Sequence, residues 1–304
     1  MNSITEKNFL KKGLLEFGAI IDKKKCREIY DKVAKSRDLS KNLFRTEEDY
    51  LANPDPKKTN PGKGKNNFAE KFDLSFIEDN PEVKKILKII VGERHEIILK
   101  NFVIGVPDSW IPNWLKKITE KQLAANLGSY IKPQYRDVTY FRGIDFHMDL
   151  IDHPNLVGDN LTLYLYLNDV NNEMSPLNII EGSHCFGATK FPHYLKNNYS
   201  DTIEYSPDDK DYQSFKKKIL ISEAGSLFLW SSFILHGTQP QKCDTPRISL
   251  RYDIKPNSKT KDKNILIKKF LNNIKGNISM PVVRDDLDFN SKNYKQVKFN
   301  KILK

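Results

Sequence analysis

Leu161-Thr162-Leu163-Tyr164-Leu165-Tyr166-Leu167 is the stretch that decides the fold class. Side chains on an extended strand point to alternate faces. Four leucines therefore share one face, and Thr162, Tyr164 and Tyr166 share the other. Ser226–Trp230 and Arg247–Tyr252 alternate in the same way, and Asn168-Asp169, Glu181-Gly182-Ser183 and Gly237 punctuate them as turns. Short, evenly spaced strands separated by turns predict a mainly β protein with flanking helices. A closed or double-sheet β architecture of the jelly-roll or cupin kind is expected for its core.

Upstream of this stretch the texture is helical. Asn8–Ile21 reads as a short helix and then an apolar strand at Gly18–Ile21. A helix over Lys23–Ser36 follows, with Ile29, Val33 and Ala34 as its apolar stripe. Thr46–Asn67 carries Pro54, Pro56, Pro61, Gly62 and Gly64 among charges and reads as a long mobile loop, part of it covering the site. Pro81–Ile90 reads as a helix ended by Gly92, and Glu96–Val106 as a strand. Asp108–Leu127 reads as helical insertion, Phe191–Lys218 as a polar excursion between strands, and Lys259–Lys275 as a helix. One domain over 1–304 is expected: outer helices and strands in 8–127, the jelly-roll core in 129–255, and a C-terminal helix and tail in 256–304.

Composition narrows the function classes. With 38% hydrophobic and 11% aromatic residues, the chain has the makings of a folded core. No stretch approaches the roughly 18 apolar residues of a membrane span, and Met1–Lys12 lacks a signal-peptide run. Cys26, Cys185 and Cys243 have no paired spacing, which argues against a disulfide framework or a zinc site. A reduced, cytoplasmic enzyme is the simplest expectation. The net charge of +11 raises the alternative of a nucleic-acid or anionic-surface binder. The excess is scattered lysine without aromatic interleaving, so solvated faces are the better reading and no nucleic-acid partner is expected.

The chemistry sits in Asp145-Phe146-His147-Met148-Asp149. A His and an Asp one residue apart on a strand project from one face and converge on one point. With a second His they form a 2-His-1-carboxylate triad, which suits non-haem Fe(II) and leaves positions open. Six histidines supply the candidates: His95, His147, His153, His184, His193 and His236. His236 stands apart, at the end of Leu227–Leu235 and directly before Gly237, where it would point into a barrel mouth. Arg247 follows eleven residues later, with Arg251 on the same strand face as a rival anchor. His153 reads as a loop residue. His184, in a Gly-Ser-His turn, reads as structural, bonding backbone. Trp110, Trp114 and Trp230 read as core.

Taken in order, Gly225–Trp230, Leu235-His236-Gly237 and Arg247–Leu250 resemble the distal half of the phytanoyl-CoA dioxygenase family of Fe(II)/2-oxoglutarate oxygenases. His147-Met148-Asp149 resembles its proximal metal motif, and Ile179–His184 its strand and turn, with Glu181 where the family usually has Pro. The resemblance runs from Asn8 to about Lys255, excluding 108–127 and 191–218. It implies that His147, Asp149 and His236 bind Fe(II) and that Arg247 pairs with the distal carboxylate of 2-oxoglutarate. It further implies a Thr238 hydroxyl on that carboxylate, Tyr164 beside the co-substrate, and O2 as oxidant. Asp149 implies hydroxylation over halogenation, since related halogenases vacate that position. The implied activity is hydroxylation of an aliphatic C–H of a small molecule. Arg136, Arg142 and Arg251 hint that this molecule is anionic. A catalytically silent, binding-only member is the alternative within the same family.

Overall fold

The computed structural model describes residues 3–54, 68–120, 122, 124–152, 157–197, 201–257 and 265–279. Seven helices are described: α1 (Ser3–Lys12), α2 (Lys23–Ser36), α3 (Glu47–Ala52), α4 (Ser75–Glu78), α5 (Pro81–Val91), α6 (Asn113–Thr119) and α7 (Leu266–Asn272). The strands are β1 (Leu14–Ala19), β2 (His95–Gly105), β3 (Ala124–Asn126), β4 (Thr139–His147), β5 (Leu161–Tyr166) and β6 (Leu177–Glu181). They continue with β7 (Tyr194–Asn197), β8 (Thr202–Ser206), β9 (Gln213–Leu220), β10 (Ser226–Ser231), β11 (His236–Thr238) and β12 (Arg247–Pro256).

Hydrogen bonding joins the strands in the order β1-β10-β5-β12-β2-β4-β11-β6-β9-β8-β7, with β3 added beside β4. Every pair is antiparallel except β2 with β4. The sheet closes over itself. Trp230 on β10 and His236 on β11 are far apart in strand order, yet their ring centroids are 5.2 Å apart. Tyr166 on β5 likewise donates across the interior to the Leu220 carbonyl on β9. This is a double-stranded β-helix, an architecture of the jelly-roll kind that the alternation predicts.

The two faces of β5 explain the layering. Leu161, Leu163, Leu165 and Leu167 join one apolar cluster with Phe102 and Ile104 of β2, Ile248, Leu250, Tyr252 and Ile254 of β12, and the buried stripes of α2, α5 and α7. Tyr164 and Tyr166 belong to a second cluster inside the barrel with Phe228 and Trp230. Each leucine taken out of water contributes about 1.5–3 kcal/mol, so the helices clamp the outside of the larger half of the sheet. Local signals start and stop those helices. The Asp22 carboxylate caps α2 by accepting from the Lys25 amide. Asn80 caps α5, Pro81 opens it, and Gly92 ends it at φ 94°.

Several sequence expectations shift. The first strand lies at Leu14–Ala19, ahead of the expected Gly18–Ile21, because α1 ends at Lys12 and β1 pairs with β10. The expected loop at 46–67 begins with α3, capped by Thr46 accepting from the Asp49 amide. Its remainder, 55–67, lies outside the described residues, as does His153. The 108–127 insertion holds α6 but also β3, which pairs with β4. The 191–218 excursion is mostly sheet: β7, β8 and β9 extend the barrel, and β9 pairs with β6 along its length. Lys216-Lys217-Lys218 hid β9 from hydrophobic patterning. Of the expected helix at 259–275, α7 is described and 258–264 is not.

Candidate metal centre

β4 ends at His147, and β11 begins at His236 directly opposite it. Their ring centroids are 4.3 Å apart. Two details depart from the sequence reading. Asp149 lies beyond the strand, at the start of the 3₁₀ turn Asp149–Asp152, so the turn rather than strand alternation brings it beside His147. His236 opens a strand rather than ending one, because β10 stops at Ser231 and the chain crosses to the other half of the barrel before β11. The three residues still converge. One ligand atom from each of His147, Asp149 and His236 lies within 4.8 Å of the others, and all three residues are buried.

Both imidazoles are oriented by backbone. His147 Nδ1 lies 3.0 Å from the Asp145 carbonyl oxygen, and His236 Nδ1 lies 3.1 Å from that of Ile234. A carbonyl only accepts, so each Nδ1 carries a proton, which leaves Nε2 as the nitrogen that can ligate. Burial holds the His147 imidazole well below its ordinary pKa, with the neighbouring His236 adding to the effect, so it is neutral and ready to ligate. Burial opposes charge on Asp149, but the Arg251 guanidinium and His236 outweigh it and hold the carboxyl well below the usual carboxylate range. The Oδ2 atom of Asp149 accepts from Thr162 Oγ1 at 2.6 Å and from Trp230 Nε1 at 3.0 Å. Its Oδ1 faces His236 Nε2 at 3.5 Å. Two imidazoles and one fixed carboxylate brought this close together fit a divalent metal ion with positions left open.

Deeper along β12 lies Arg247, 1% exposed. Its Nε and Nη1 have no hydrogen-bond partner, nor does the hydroxyl of Ser249, two residues on along the same face. Tyr166 lies in hydrogen-bonding reach of the guanidinium. Gly105 on β2 makes room, since a Cβ there would stand 3.4 Å from Arg247 Nε and 3.2 Å from Gln241 Oε1. A buried cation with two unpaired donors is costly, and a carboxylate matching its fork removes the cost. Thr238 shares a strand face with His236 and is buried, and Tyr164 packs 5.3 Å from Trp230. The structure thus brings His147, Asp149 and His236 together and lines the same barrel with Arg247, Thr238 and Tyr164.

Other sequence candidates fall elsewhere. Arg251 is not an idle rival to Arg247, because its Nη2 touches Asp149 Oδ1 at 2.9 Å. Arg142 is engaged by Asp108, the Lys116 carbonyl and Thr119, and Arg136 by the Ile131 and Ser129 carbonyls. Neither is left waiting for an anion. His184 is structural, as expected: its Nε2 lies 3.2 Å from the Leu10 carbonyl and its ring stacks on Phe270. Trp230 is core, as expected, but also a donor to the metal-facing carboxylate, a role the sequence reading missed. Thr162 and Ser249 were missed too. The signal for all three was their place on the non-aliphatic face of an alternating strand. No described helix is long and apolar enough to cross a membrane.

No protein-family model matches the sequence, and no curated protein matches it. Solved structures with a similar fold include the non-heme alpha ketoglutarate dependent epimerase SnoN from nogalamycin biosynthesis. It is 12% identical, with TM-score 0.49, over 83% of this chain and 81% of that one. The non-heme monooxygenase ThoJ in a Ni complex is 11% identical, with TM-score 0.48, over 83% and 77%. EctD from S. alaskensis with bound Fe is 10% identical, with TM-score 0.47, over 84% and 77%. These likenesses concern the fold, and the chemistry rests on the residues described above.

Proposed function

We propose that this chain is an Fe(II)/2-oxoglutarate-dependent oxygenase of the phytanoyl-CoA dioxygenase type that hydroxylates an aliphatic C–H of a small molecule. The observation that carries the reading is the presence in one barrel of a buried, converging His-Asp-His set and the buried Arg247 fork, whose Nε and Nη1 have no partner among the described residues. When bound, Fe(II) with 2-oxoglutarate and O2 supplies the oxidising power, releasing succinate and CO2. The chain's own residues do the rest. Trp230 and Thr162 fix Asp149 Oδ2 so that Oδ1 faces the histidines. The Asp145 and Ile234 carbonyls fix the imidazole tautomers. Arg247, with the Ser249 and Thr238 hydroxyls nearby, orients the distal carboxylate, and the Tyr164, Tyr166, Phe228 and Trp230 rings keep the chamber dry. The basic surface is read as solvation.

The test is an anaerobic titration of 2-oxoglutarate into Fe(II)-loaded protein, following the charge-transfer absorbance of chelation, and then succinate release in air. A saturable band with slow succinate formation is expected. A band without succinate under any substrate panel would indicate the binding-only reading. No band, together with steeply salt-dependent nucleic-acid binding, would transfer the function to the lysine-rich surface.

A further inference from the structure

The carboxylate that faces the histidines already has a cation on it. Arg251 Nη2 lies 2.9 Å from Asp149 Oδ1, the same oxygen that stands 3.5 Å from His236 Nε2. The other oxygen, Oδ2, is taken by Trp230 and Thr162. A metal bound by all three side chains therefore needs the oxygen that Arg251 holds.

Arg251 also has a second anion. Its Nε lies 2.9 Å from Asp253 Oδ1, and its Nη2 lies 3.0 Å from Asp253 Oδ2. Asp253 is wholly buried, whereas Arg251 is partly exposed. The two carboxylates are linked by Thr162, whose Oγ1 lies 2.6 Å from Asp149 Oδ2 and 3.3 Å from Asp253 Oδ1. Its single proton serves the nearer oxygen. The interior thus holds an Asp–Arg–Asp array in which one carboxylate faces the metal position and the other does not.

We infer that Arg251 competes with the metal for Asp149 Oδ1, and that Asp253 sets the strength of that competition by holding the guanidinium. The inference rests on the reading of the triad as a metal site. Both residues act through Asp149 and are positioning residues. In the metal-free protein the array keeps the Asp149 carboxylate paired and in place, since an unpaired buried charge is strongly destabilising. On metal binding, two cations on one oxygen repel each other, and the bidentate grip of Asp253 gives Arg251 an anion to stay with. A simple strut would do the opposite: its loss would loosen Asp149 and weaken metal binding.

The experiment is Ni(II) binding by calorimetry to the metal-stripped full chain, Ni(II) being the only ligand. Asp253→Asn removes the carboxylate that grips Arg251 from the side away from Asp149 and should weaken Ni(II) binding by about tenfold. Arg251→Met removes the competitor and should tighten it by about 10- to 100-fold. Asp253 unpaired in a core threatens folding of that variant, so the paired neutral change, Arg251→Met with Asp253→Asn, carries the test and should still bind more tightly than wild type. The d–d absorption of the Co(II)-loaded double variant should match that of wild type, which shows that the ligand geometry is kept. Weaker Ni(II) binding in the double variant, or shifts of the same sign for Asp253→Asn and Arg251→Met, would overturn the inference. Wild type that binds Ni(II) no better than His147→Ala would instead overturn the metal reading of the triad, and this inference with it.

Discussion

Arg247 and Arg251 share one face of one strand, four residues apart, and have opposite surroundings. Ile248, Leu250, Tyr252 and Ile254 face the helices, whereas the alternate residues Arg247, Ser249, Arg251 and Asp253 turn from that apolar cluster toward the interior. At one end, Arg247 is buried with two unpartnered nitrogens beside an unpartnered serine. At the other, Arg251 is gripped by Asp253 and touches Asp149. The same residue type, delivered by the same alternation, is an open socket in one place and a closed ion-pair array in the other. A buried guanidinium without an anion marks a ligand site, and one saturated by carboxylates marks an electrostatic adjustment of its neighbours.

The sharpest break of this comparison is at the open end. Arg247→Leu should weaken 2-oxoglutarate binding by about 30-fold to a few thousand-fold, corresponding to the roughly 2–5 kcal/mol cost of truncating a buried charge pair. Arg247→Lys keeps the charge, loses the fork, and should fall between. Arg251→Met should leave this titration within a few-fold. If Arg251→Met abolishes it while Arg247→Leu does not, the two ends have been assigned the wrong way round.

A smaller effect sharpens the closed end. Trp230→Phe removes the indole donor to Asp149 Oδ2 but keeps a ring in the barrel. Metal affinity should fall by about 10- to 100-fold, as for other groups that orient a ligand, with little change in 2-oxoglutarate affinity once metal is saturating. Unchanged Ni(II) binding would reduce Trp230 to packing.

The smallest effect lies outside the barrel, among histidines with no ligand role. Burial lowers the His184 pKa to about 4 and the His193 pKa to about 3. Unfolding lets each bind a proton near its ordinary value of about 6.5. Between those values the unfolded state holds more protons, so stability rises with pH and is lost as pH falls from about 6.5 toward 4. Each group contributes a slope of up to about 1.4 kcal/mol per pH unit. Thermal melts of the metal-free protein between pH 7 and 4.5 should show the loss, and His184→Phe should flatten part of it. An identical slope in that variant would remove His184 from the account.

Much of this arrangement was legible in the chain. Strict alternation in Leu161–Leu167 and Arg247–Tyr252 predicted strands, faces and layering, because burying one face of a sheet forces period 2 on the sequence. The apolar stripe of Ile29, Val33 and Ala34 predicted α2 closely, and Pro81 at the first turn with Gly92 at the end predicted α5. His147, Asp149, His236 and Arg247 were singled out by type and spacing, and they meet in one barrel. The strand β9 was not legible, because three consecutive lysines erase the hydrophobic period while backbone pairing with β6 on one side and β8 on the other still holds it. Nor were the helix at Glu47–Ala52 or the 3₁₀ turn that carries Asp149, since short elements are set by local hydrogen bonds and tertiary packing rather than by periodicity.

What the sequence determined by itself is the alternating strands β5, β10 and β12, their two faces and the candidate residues that carry the chemistry. Only the tertiary structure decided which of those residues are left unpaired. Strand alternation puts Arg247 and Arg251 on the same interior face without distinction. Whether an anion stands within reach of each depends on β4, β5 and β10 closing over β12. That closure brings Asp149, held by Thr162 and Trp230, to Arg251, and among the described residues it leaves Arg247 Nε and Nη1 without a partner. Asp253, two residues on along the same face, is within the reach of strand spacing, but the pairing of Arg251 with Asp149 is a property of distances across the barrel, which no spacing along the chain encodes.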